Sequence, residues 1–104
     1  MASLLRYFAL ILQGRNKSAV LFPDFPDLVS TGRVVEEALR TARRELLQRV
    51  AMLRWLGATI PPPMDAKAIR SSPYYAYATV AIITLPEPPL PPQAGRILAR
   101  LRRV

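Results

Sequence analysis

A chain of 104 residues has the length of one small domain, and its hydrophobic content of 51% is enough for a packed core. The sequence contains no cysteine and no histidine, which excludes disulfides and argues against zinc sites and histidine-based catalysis. The net charge of +8 indicates nucleic acid, an anionic surface or an acidic partner, with a solvated coat of arginines as the alternative.

The first apolar run does not have the character of a membrane segment. Residues 4–12 are interrupted by Arg6 and fall short of the roughly 20 residues that a spanning helix needs. The run also lacks the preceding charged region and the cleavage site of a signal peptide. We therefore expect a cytoplasmic protein that does not enter a membrane.

The N-terminal part of the chain predicts strands. Residues 4–13 are apolar on both alternating sets, as in a strand that is buried on both faces. A polar turn at residues 14–17 leads into a returning strand at residues 18–22, and residues 28–31 are predicted as a short third strand. Gly32 is expected to take a positive φ just before the following helix.

Residues 33–56 are predicted as one long helix. Apolar residues recur there at steps of three and four and form one stripe, which consists of Val35, Leu39, Ala42, Leu46, Val50 and Leu53. Glu36 and Glu37 suit the positive N-terminal end of the helix, and Gly57 is a natural stop.

The C-terminal part predicts one more strand, a linker and a tail. Residues 65–71 favour a helical turn, and residues 74–85 are rich in strand-forming side chains. Residues 86–93 are proline-rich and are expected to form an extended linker, which residues 94–104 follow as a short basic amphipathic tail. The folded domain is therefore predicted to span residues 1–85.

The order strand, strand, strand, helix, strand predicts an α+β domain with a small, mainly antiparallel sheet and one long helix packed on one face. One helix covers only one face, whereas the first and last strands look apolar on both. The open face predicts a homo-oligomer, most simply a two-fold dimer. The alternative is that the tail at residues 94–104 folds back over this face.

Four short motifs occur in order along the predicted domain. They are AVLFPDFP at residues 19–26, STG at 30–32, EEAL at 36–39 with Ala42 one turn on, and GATIPPP at 57–63. Together they resemble the HicB antitoxin family over about residues 5 to 85, and this resemblance implies a partial RNase H-like fold. It also implies an antitoxin that binds a small mRNA-cleaving HicA toxin and sterically masks it. Such a protein is not an enzyme and uses no cofactor.

The chain departs from the family's pattern in three respects. Arg33 and Val34 replace an Asp-Thr pair that would cap the helix, so we expect a loss of helix stability of about 1 kcal/mol. The dozen residues after Pro92 are too few for the family's C-terminal DNA-binding module, so direct operator binding is not expected. The basic composition also contrasts with the acidic character that is more usual among antitoxins.

The carboxylates are too scattered for a metal-dependent nuclease. That chemistry needs clustered acids on adjacent strand ends to hold two divalent metals. The first strand has no acid, and three of the seven acids lie on the predicted helix. We therefore predict no catalytic, metal-binding or cofactor-binding residues and no small-molecule substrate.

Two sets of charged residues are candidate contacts. The candidate partner-binding residues are Asp24, Asp27, Arg40 and Arg44, and the candidate phosphate-contacting residues are Arg96, Arg100, Arg102 and Arg103. A solvated surface is the alternative for the arginines, and a bond to its own turn backbone is the alternative for Asp24. The aromatic residues are expected to pack in the core or on the sheet, with base stacking or an interface as the alternative for Tyr74, Tyr75 and Tyr77.

Three functions stay open at this point. The first is a HicB-like antitoxin, or a solitary protein of that kind, that masks a toxin through an exposed sheet edge or the helix face. The second is a basic, oligomeric module that associates with nucleic acid and has no toxin partner. The third is a structural remnant without a partner. Steep weakening by salt would distinguish a phosphate-driven complex from a protein interface that buries apolar area.

Overall fold

A computed structural model describes residues 4–86 of the chain. In chain order, the elements are strands β1 (Leu4–Gln13), β2 (Ser18–Phe22) and β3 (Phe25–Gly32), helices α1 (Val35–Trp55) and α2 (Ala66–Arg70), a 3-10 turn at Tyr75–Tyr77, and strand β4 (Thr79–Pro86). The predicted tail, and the predicted linker apart from Pro86, lie outside the described residues. The alternative in which the tail covers a sheet face therefore stays a prediction.

The four strands form one antiparallel sheet in the order β3-β2-β1-β4. Strand β1 is central, since it pairs with β4 over most of its length and with β2 from Leu10 to Gln13. Strand β2 pairs in turn with β3, with an irregularity between Leu21 and Phe22. The predicted α+β class, with a small antiparallel sheet and one long helix, is confirmed.

Helix α1 packs its apolar stripe on one face of the sheet. Four residues of α1, spaced one turn apart, are fully buried: Ala42, Leu46 and Val50 of the predicted stripe, and Ala38, which the predicted stripe does not include. They meet the inward-facing side chains of the strands, which include Tyr7, Ala9, Ile11, Val20, Phe22, Phe25, Ile83 and Leu85. The prediction that Phe22 and Phe25 are core residues is confirmed, and the ring of Phe25 packs edge-on against Tyr7 at a centroid distance of 5.2 Å.

Gly32 is required by close packing, and the predicted positive φ at this residue is wrong. Among the residues that the structure describes, only Gly57 has a positive φ, of 71°, just beyond the end of α1. A Cβ atom at Gly32 would lie 2.5 Å from the backbone nitrogen of Ala38. The end of β3 therefore touches the backbone of the first turns of α1.

The helix ends agree with the sequence in two ways. Val34 occupies the N-cap position of α1 without a side-chain hydrogen bond, as the loss of the capping pair predicts. The short helix α2 opens at Asp65, whose Oδ1 accepts a 2.7 Å hydrogen bond from the amide of Ala68.

Of the helices between residues 4 and 86, none combines the length and the apolar character needed to cross a bilayer.

Two predicted strand boundaries differ from the structure. The last strand begins at Thr79 because consecutive turns precede it: the amide of Tyr75 donates to the carbonyl of Ser72, and the amide of Ala78 donates to the carbonyl of Tyr75. Strand β3 is longer than predicted and includes Pro26. It lies at the sheet edge, where a residue without an N–H can be accommodated.

The second face of the sheet is covered in part by the chain between α1 and β4. Leu10 of β1 and Ile69 of α2 are both buried, and neither belongs to the core under α1. Ile69 and Tyr75 line a small surface cavity together with Phe8 and Val80 of the sheet. Part of the cover that the sequence led us to expect from a second copy or from the tail is therefore provided by α2, and the homo-oligomer stays a prediction.

Some apolar side chains on this second face stay exposed, and we call them the open patch. Its members are Val29, which is 50% exposed, Val80 at 37% and Ile82 at 60%. The strand register places all three on the same face as the buried Leu10. Val80 lies opposite Leu10 itself, and Ile82 lies two residues further along the same strand. Val29 lies opposite Leu21, which in turn lies opposite Leu10. The open patch does not include the centre of this face, because α2 shields it.

Gly32→Ala should destabilise the fold by about 3 kcal/mol, because the added methyl group must displace the backbone of α1. Gly57→Ala is the control: its site has open space, so the positive φ alone should cost about 1 kcal/mol. Urea denaturation measures both free energies of unfolding. A loss at Gly32 no larger than the loss at Gly57 would contradict the close contact.

Candidate partner interface

Asp24 holds the chain that leaves α1 against the turn between β2 and β3. Its Oδ1 accepts a 3.0 Å hydrogen bond from the amide of Met64, which lies 40 residues further along the chain. In the same segment, the carbonyl of Pro61 accepts a 2.9 Å hydrogen bond from the Tyr7 hydroxyl. Asp24 thus has a long-range backbone contact, in place of the bond to its own turn that was the alternative to partner binding.

The carboxylate of Asp24 is poorly solvated in its ionised form. Burial raises the pKa of Asp24, and the hydrogen bond from Met64 offsets only part of this effect. Its Oδ2 atom is buried and has no hydrogen-bond partner among residues 4–86. Burial, followed by the nearby charge of Asp24, also raises the pKa of Tyr7. Asp24 is thus an internal anchor whose charge opposes folding.

Asp27 is joined to α1 by an exposed, bidentate ion pair. Arg49 donates from Nη1 to Oδ1 at 3.1 Å and from Nη2 to Oδ2 at 2.9 Å. The hydrogen bond from Arg49 lowers the pKa of Asp27, and the same bond raises the pKa of Arg49. Nearby, the buried Ser30 hydroxyl donates to Glu45 at 2.8 Å. Both contacts fasten β3 to α1.

Arg40 and Arg44 lie one turn apart on the side of α1 that faces away from the sheet, and both are exposed. Within residues 4–86, no hydrogen bond or ion pair holds either guanidinium group. Arg43 instead lines a groove beside β4, together with Leu39 and Ala81. We call the exposed side that carries Arg40 and Arg44 the outer helix face.

The four candidate partner-binding residues do not form one surface. Asp24 and Asp27 have internal partners, whereas Arg40 and Arg44 project into solvent. Along the helix axis, Arg40 lies roughly 13 Å from Arg49, the partner of Asp27. The roles that the sequence predicts for these four residues in partner binding stay predictions.

The remaining candidates have mixed outcomes. The phosphate-contacting candidates Arg96, Arg100, Arg102 and Arg103 lie outside the described residues and stay predictions. The predicted strand that carries the tyrosines is wrong at its start, and Tyr77 is 83% exposed in the turn before β4. In the part of the chain that the structure describes, no three acidic side chains come close enough together to hold a metal ion.

The outer edge of β4 is one of the two edges of the sheet, and the sequence predicts an exposed sheet edge without identifying the strand that forms it. Strand β4 is terminal in the sheet order, so its outward-pointing amides and carbonyls have no strand partner between residues 4 and 86. None of its residues carries a charge. The uncharged run is visible in the sequence, but only the strand order shows that it lies at an edge.

Solved structures of antitoxins share this fold. The N-terminal domain of the Burkholderia pseudomallei antitoxin HicB aligns with a TM-score of 0.64 and 21% sequence identity, over 80% of this chain and 98% of that one. The chain has the HicB N-terminal domain fold. A second structure of the B. pseudomallei antitoxin HicB aligns with a TM-score of 0.69 and 18% identity, over 95% of this chain and 81% of that one.

A third solved structure with this fold is a HicA3 and HicB3 toxin–antitoxin complex, in which the matching chain aligns with a TM-score of 0.58 and 17% identity. The alignment covers 75% of this chain and 94% of that one. No protein-family model matches the sequence, and no curated protein matches it. The predicted likeness to HicB is confirmed at the level of the fold.

Asp24→Asn should keep an acceptor for the Met64 amide and remove a poorly solvated charge. Because burial raises the pKa of Asp24 above its unfolded-state value, the folded protein binds the proton more tightly, and wild-type stability falls as pH rises through that window. The variant avoids this fall, so its stability relative to wild type should increase from about pH 4 towards neutrality. Urea denaturation at a series of pH values measures the difference.

Two further variants make this test specific. Asp24→Ala also removes the charge but loses the acceptor for the Met64 amide, so it should be about 1 kcal/mol less stable than Asp24→Asn at every pH. Asp27→Asn should show the opposite pH dependence of stability relative to wild type. The Arg49 hydrogen bond lowers the pKa of Asp27, so wild type gains stability over this variant as pH rises through the lowered pKa. Parallel pH profiles for wild type and Asp24→Asn would contradict the buried charge.

Proposed function

We propose that this protein is a HicB-like antitoxin that binds a small HicA-like toxin and blocks the toxin's access to RNA. The observation that carries the proposal is the fold, which is shared with HicB antitoxins over most of this chain. One matching structure is a toxin–antitoxin complex. The proposed action is steric, so it requires binding and neither catalysis nor a cofactor.

We assign the toxin to the outer helix face. Helix α1 is 21 residues long and is held on the sheet by its buried stripe, so it presents its exposed side chains in fixed positions. Arg40 and Arg44 do not hold the fold together within residues 4–86, which leaves both groups available to a partner. Guanidinium groups form bidentate hydrogen bonds to carboxylates, so this surface fits an acidic patch on the toxin.

Asp24 and Asp27 have a supporting role in this proposal. Asp27 joins β3 to α1 through Arg49, and Asp24 holds the segment after α1 through Met64. Both contacts keep the helix and its surroundings in place. We therefore expect substitutions at the two aspartates to act on stability first and on toxin binding only as a consequence.

Combined Arg40→Glu and Arg44→Glu substitutions should weaken toxin binding by at least about tenfold, because the reversed charges repel an acidic patch and remove charge-assisted hydrogen bonds. The probe is the product of the reading frame adjacent to this gene, titrated into the purified full chain by calorimetry. The readout in cells is growth when both proteins are co-expressed, which the variant should no longer protect.

The matched control reverses the same number of charges on α2. Lys67 and Arg70 are exposed, and α2 lies against the face of the sheet opposite to α1. Combined Lys67→Glu and Arg70→Glu substitutions should leave toxin binding within about twofold of wild type, because only the net charge changes. Equal losses in both pairs would overturn the assigned surface, and an adjacent product that neither binds this chain nor stops growth would overturn the antitoxin proposal.

A second candidate function is association with nucleic acid. It is favoured by three exposed arginines in one helix, Arg40, Arg43 and Arg44, on a chain whose net charge is +8. Phosphates bound by these groups would release condensed counterions, which makes the affinity depend steeply on salt. A toxin interface that buries apolar area depends on salt far less.

Binding of duplex DNA through three phosphates should weaken roughly 40-fold between about 0.05 M and 0.2 M salt. Fluorescence anisotropy with labelled DNA and RNA of mixed sequence measures this dependence. A protein that binds neither nucleic acid at the lower salt concentration excludes the second candidate. A steep salt slope that the Arg40→Glu and Arg44→Glu variant abolishes would establish it.

A further inference from the structure

The outer edge of β4 lacks the features that normally prevent an edge strand from pairing with another chain. Soluble proteins protect such edges with charged side chains, internal prolines, bulges or very short strands. Strand β4 has eight residues, none is charged, and its single proline, Pro86, stands at the very end. Its pairing with β1 is continuous, without an irregularity. The strand is therefore a competent template for a further strand.

The opposite edge of the sheet is protected. Strand β3 contains Pro26, which has no N–H to offer, and Asp27, which is held in the ion pair with Arg49. Its pairing with β2 is also broken by the irregularity between Leu21 and Phe22. Because only one edge is open, association through edges stops at two copies and does not continue into a fibre.

We propose that β4 pairs with the β4 strand of a second copy, antiparallel, about a two-fold axis perpendicular to the sheet at Ile82. The proposal concerns the chain by itself and does not rest on the toxin. A two-fold interface places the same surface on both copies, so the surface must be complementary to itself. An uncharged strand satisfies this condition, because pairing it with its copy places no like charges opposite each other.

The register follows from the exposed side chains. Antiparallel partners project from the same face, so a centre at Ile82 places this residue opposite its copy, and Val80 opposite Thr84 of the second copy. Ile82 is 60% exposed and Val80 is 37% exposed in the single chain. This centre pairs the strands from Thr79 to Leu85 and brings together the two most exposed apolar side chains of the strand.

Both faces of the joined sheet contribute to the contact. On the second face, the part of the open patch at Val80 and Ile82 becomes continuous with that of the copy. On the other face, Leu39 and Ile83 line the groove beside β4. Stable interfaces bury about 1,200–2,000 Å² in total, whereas this contact consists of a single strand pair and its flanks. We therefore expect a reversible dimer that depends on protein concentration.

Electrostatics oppose this dimer and give it a distinctive response to salt. Each copy carries a net charge of +8, and Arg43 lies in the groove beside β4 in both copies. Salt screens the repulsion between the copies without weakening the apolar contact. The dimer should therefore become tighter as salt is added, which is the reverse of phosphate binding. The outer helix faces stay free in this arrangement, so it leaves the proposed toxin surface accessible.

Sedimentation velocity of the full chain tests the proposal, and opposed charges at the two-fold axis make the test specific. Ile82→Lys and Ile82→Glu each place like charges face to face and should each weaken the dimer at least about tenfold at about 0.05 M salt. An equimolar mixture of the two variants places lysine opposite glutamate and should restore association. Val29→Lys adds the same charge to an exposed residue near the protected edge and should leave the dimer unchanged.

The wild-type chain should show a dimer whose dissociation constant falls as salt rises from about 0.05 M to about 0.5 M. Circular dichroism of every variant must match wild type, as the exposure of Ile82 leads us to expect. A wild type that is monomeric at all these salt concentrations overturns the proposal, and so does equal disruption by Val29→Lys. Failure of the mixed Ile82 variants to associate also overturns it, whether the edge is covered by residues 87–104 or the copies meet elsewhere.

Discussion

The burial of four helix residues, Ala38, Ala42, Leu46 and Val50, against the sheet determines where the rest of the chain lies. Once α1 occupies one face, the chain that follows reaches the opposite face before it enters β4. The Tyr7–Pro61 and Asp24–Met64 hydrogen bonds hold this passage. The short helix α2 then shields the second face around Leu10, and the outer edge of β4 is left without a strand partner among residues 4–86.

The sequence predicts the parts of the fold that have a strong local signal. The helical stripe, the returning strand after residues 14–17, the turn at Asp65 and the stop at Gly57 all depend on neighbours within a few residues. The early start predicted for β4 fails because of local turns at residues 72–78, but two other predictions fail because they depend on distant contacts. Gly32 is a glycine because Ala38 approaches it, not because of its own φ. The bond from Met64 to Asp24 spans 40 residues and has no local pattern, so the cover of the second face could not be predicted.

The candidate partner-binding residues also differ in how well the sequence predicts their surroundings. Arg40 and Arg44 are four residues apart in the predicted helix, and the structure places both in solvent on one side of it. Asp24 and Asp27 have the same residue type and nearly the same position in the chain, yet their carboxylates have opposite pKa shifts. The difference lies in burial at Asp24 and in the guanidinium group at Asp27, and neither can be read from the turn sequence. The fold thus separates side chains that maintain the structure from side chains that are available to a partner.

The most direct test of this account is amide hydrogen exchange of the strand edges in the full chain at two protein concentrations. If β4 is the association edge, the amides of residues 79–85 that point away from β1 should gain protection as the concentration rises at about 0.5 M salt, while the amides of β3 do not change. Exchange in β4 that is as fast as that of a free edge at both concentrations would contradict the account. Concentration-dependent protection in β3 in place of β4 would contradict it equally.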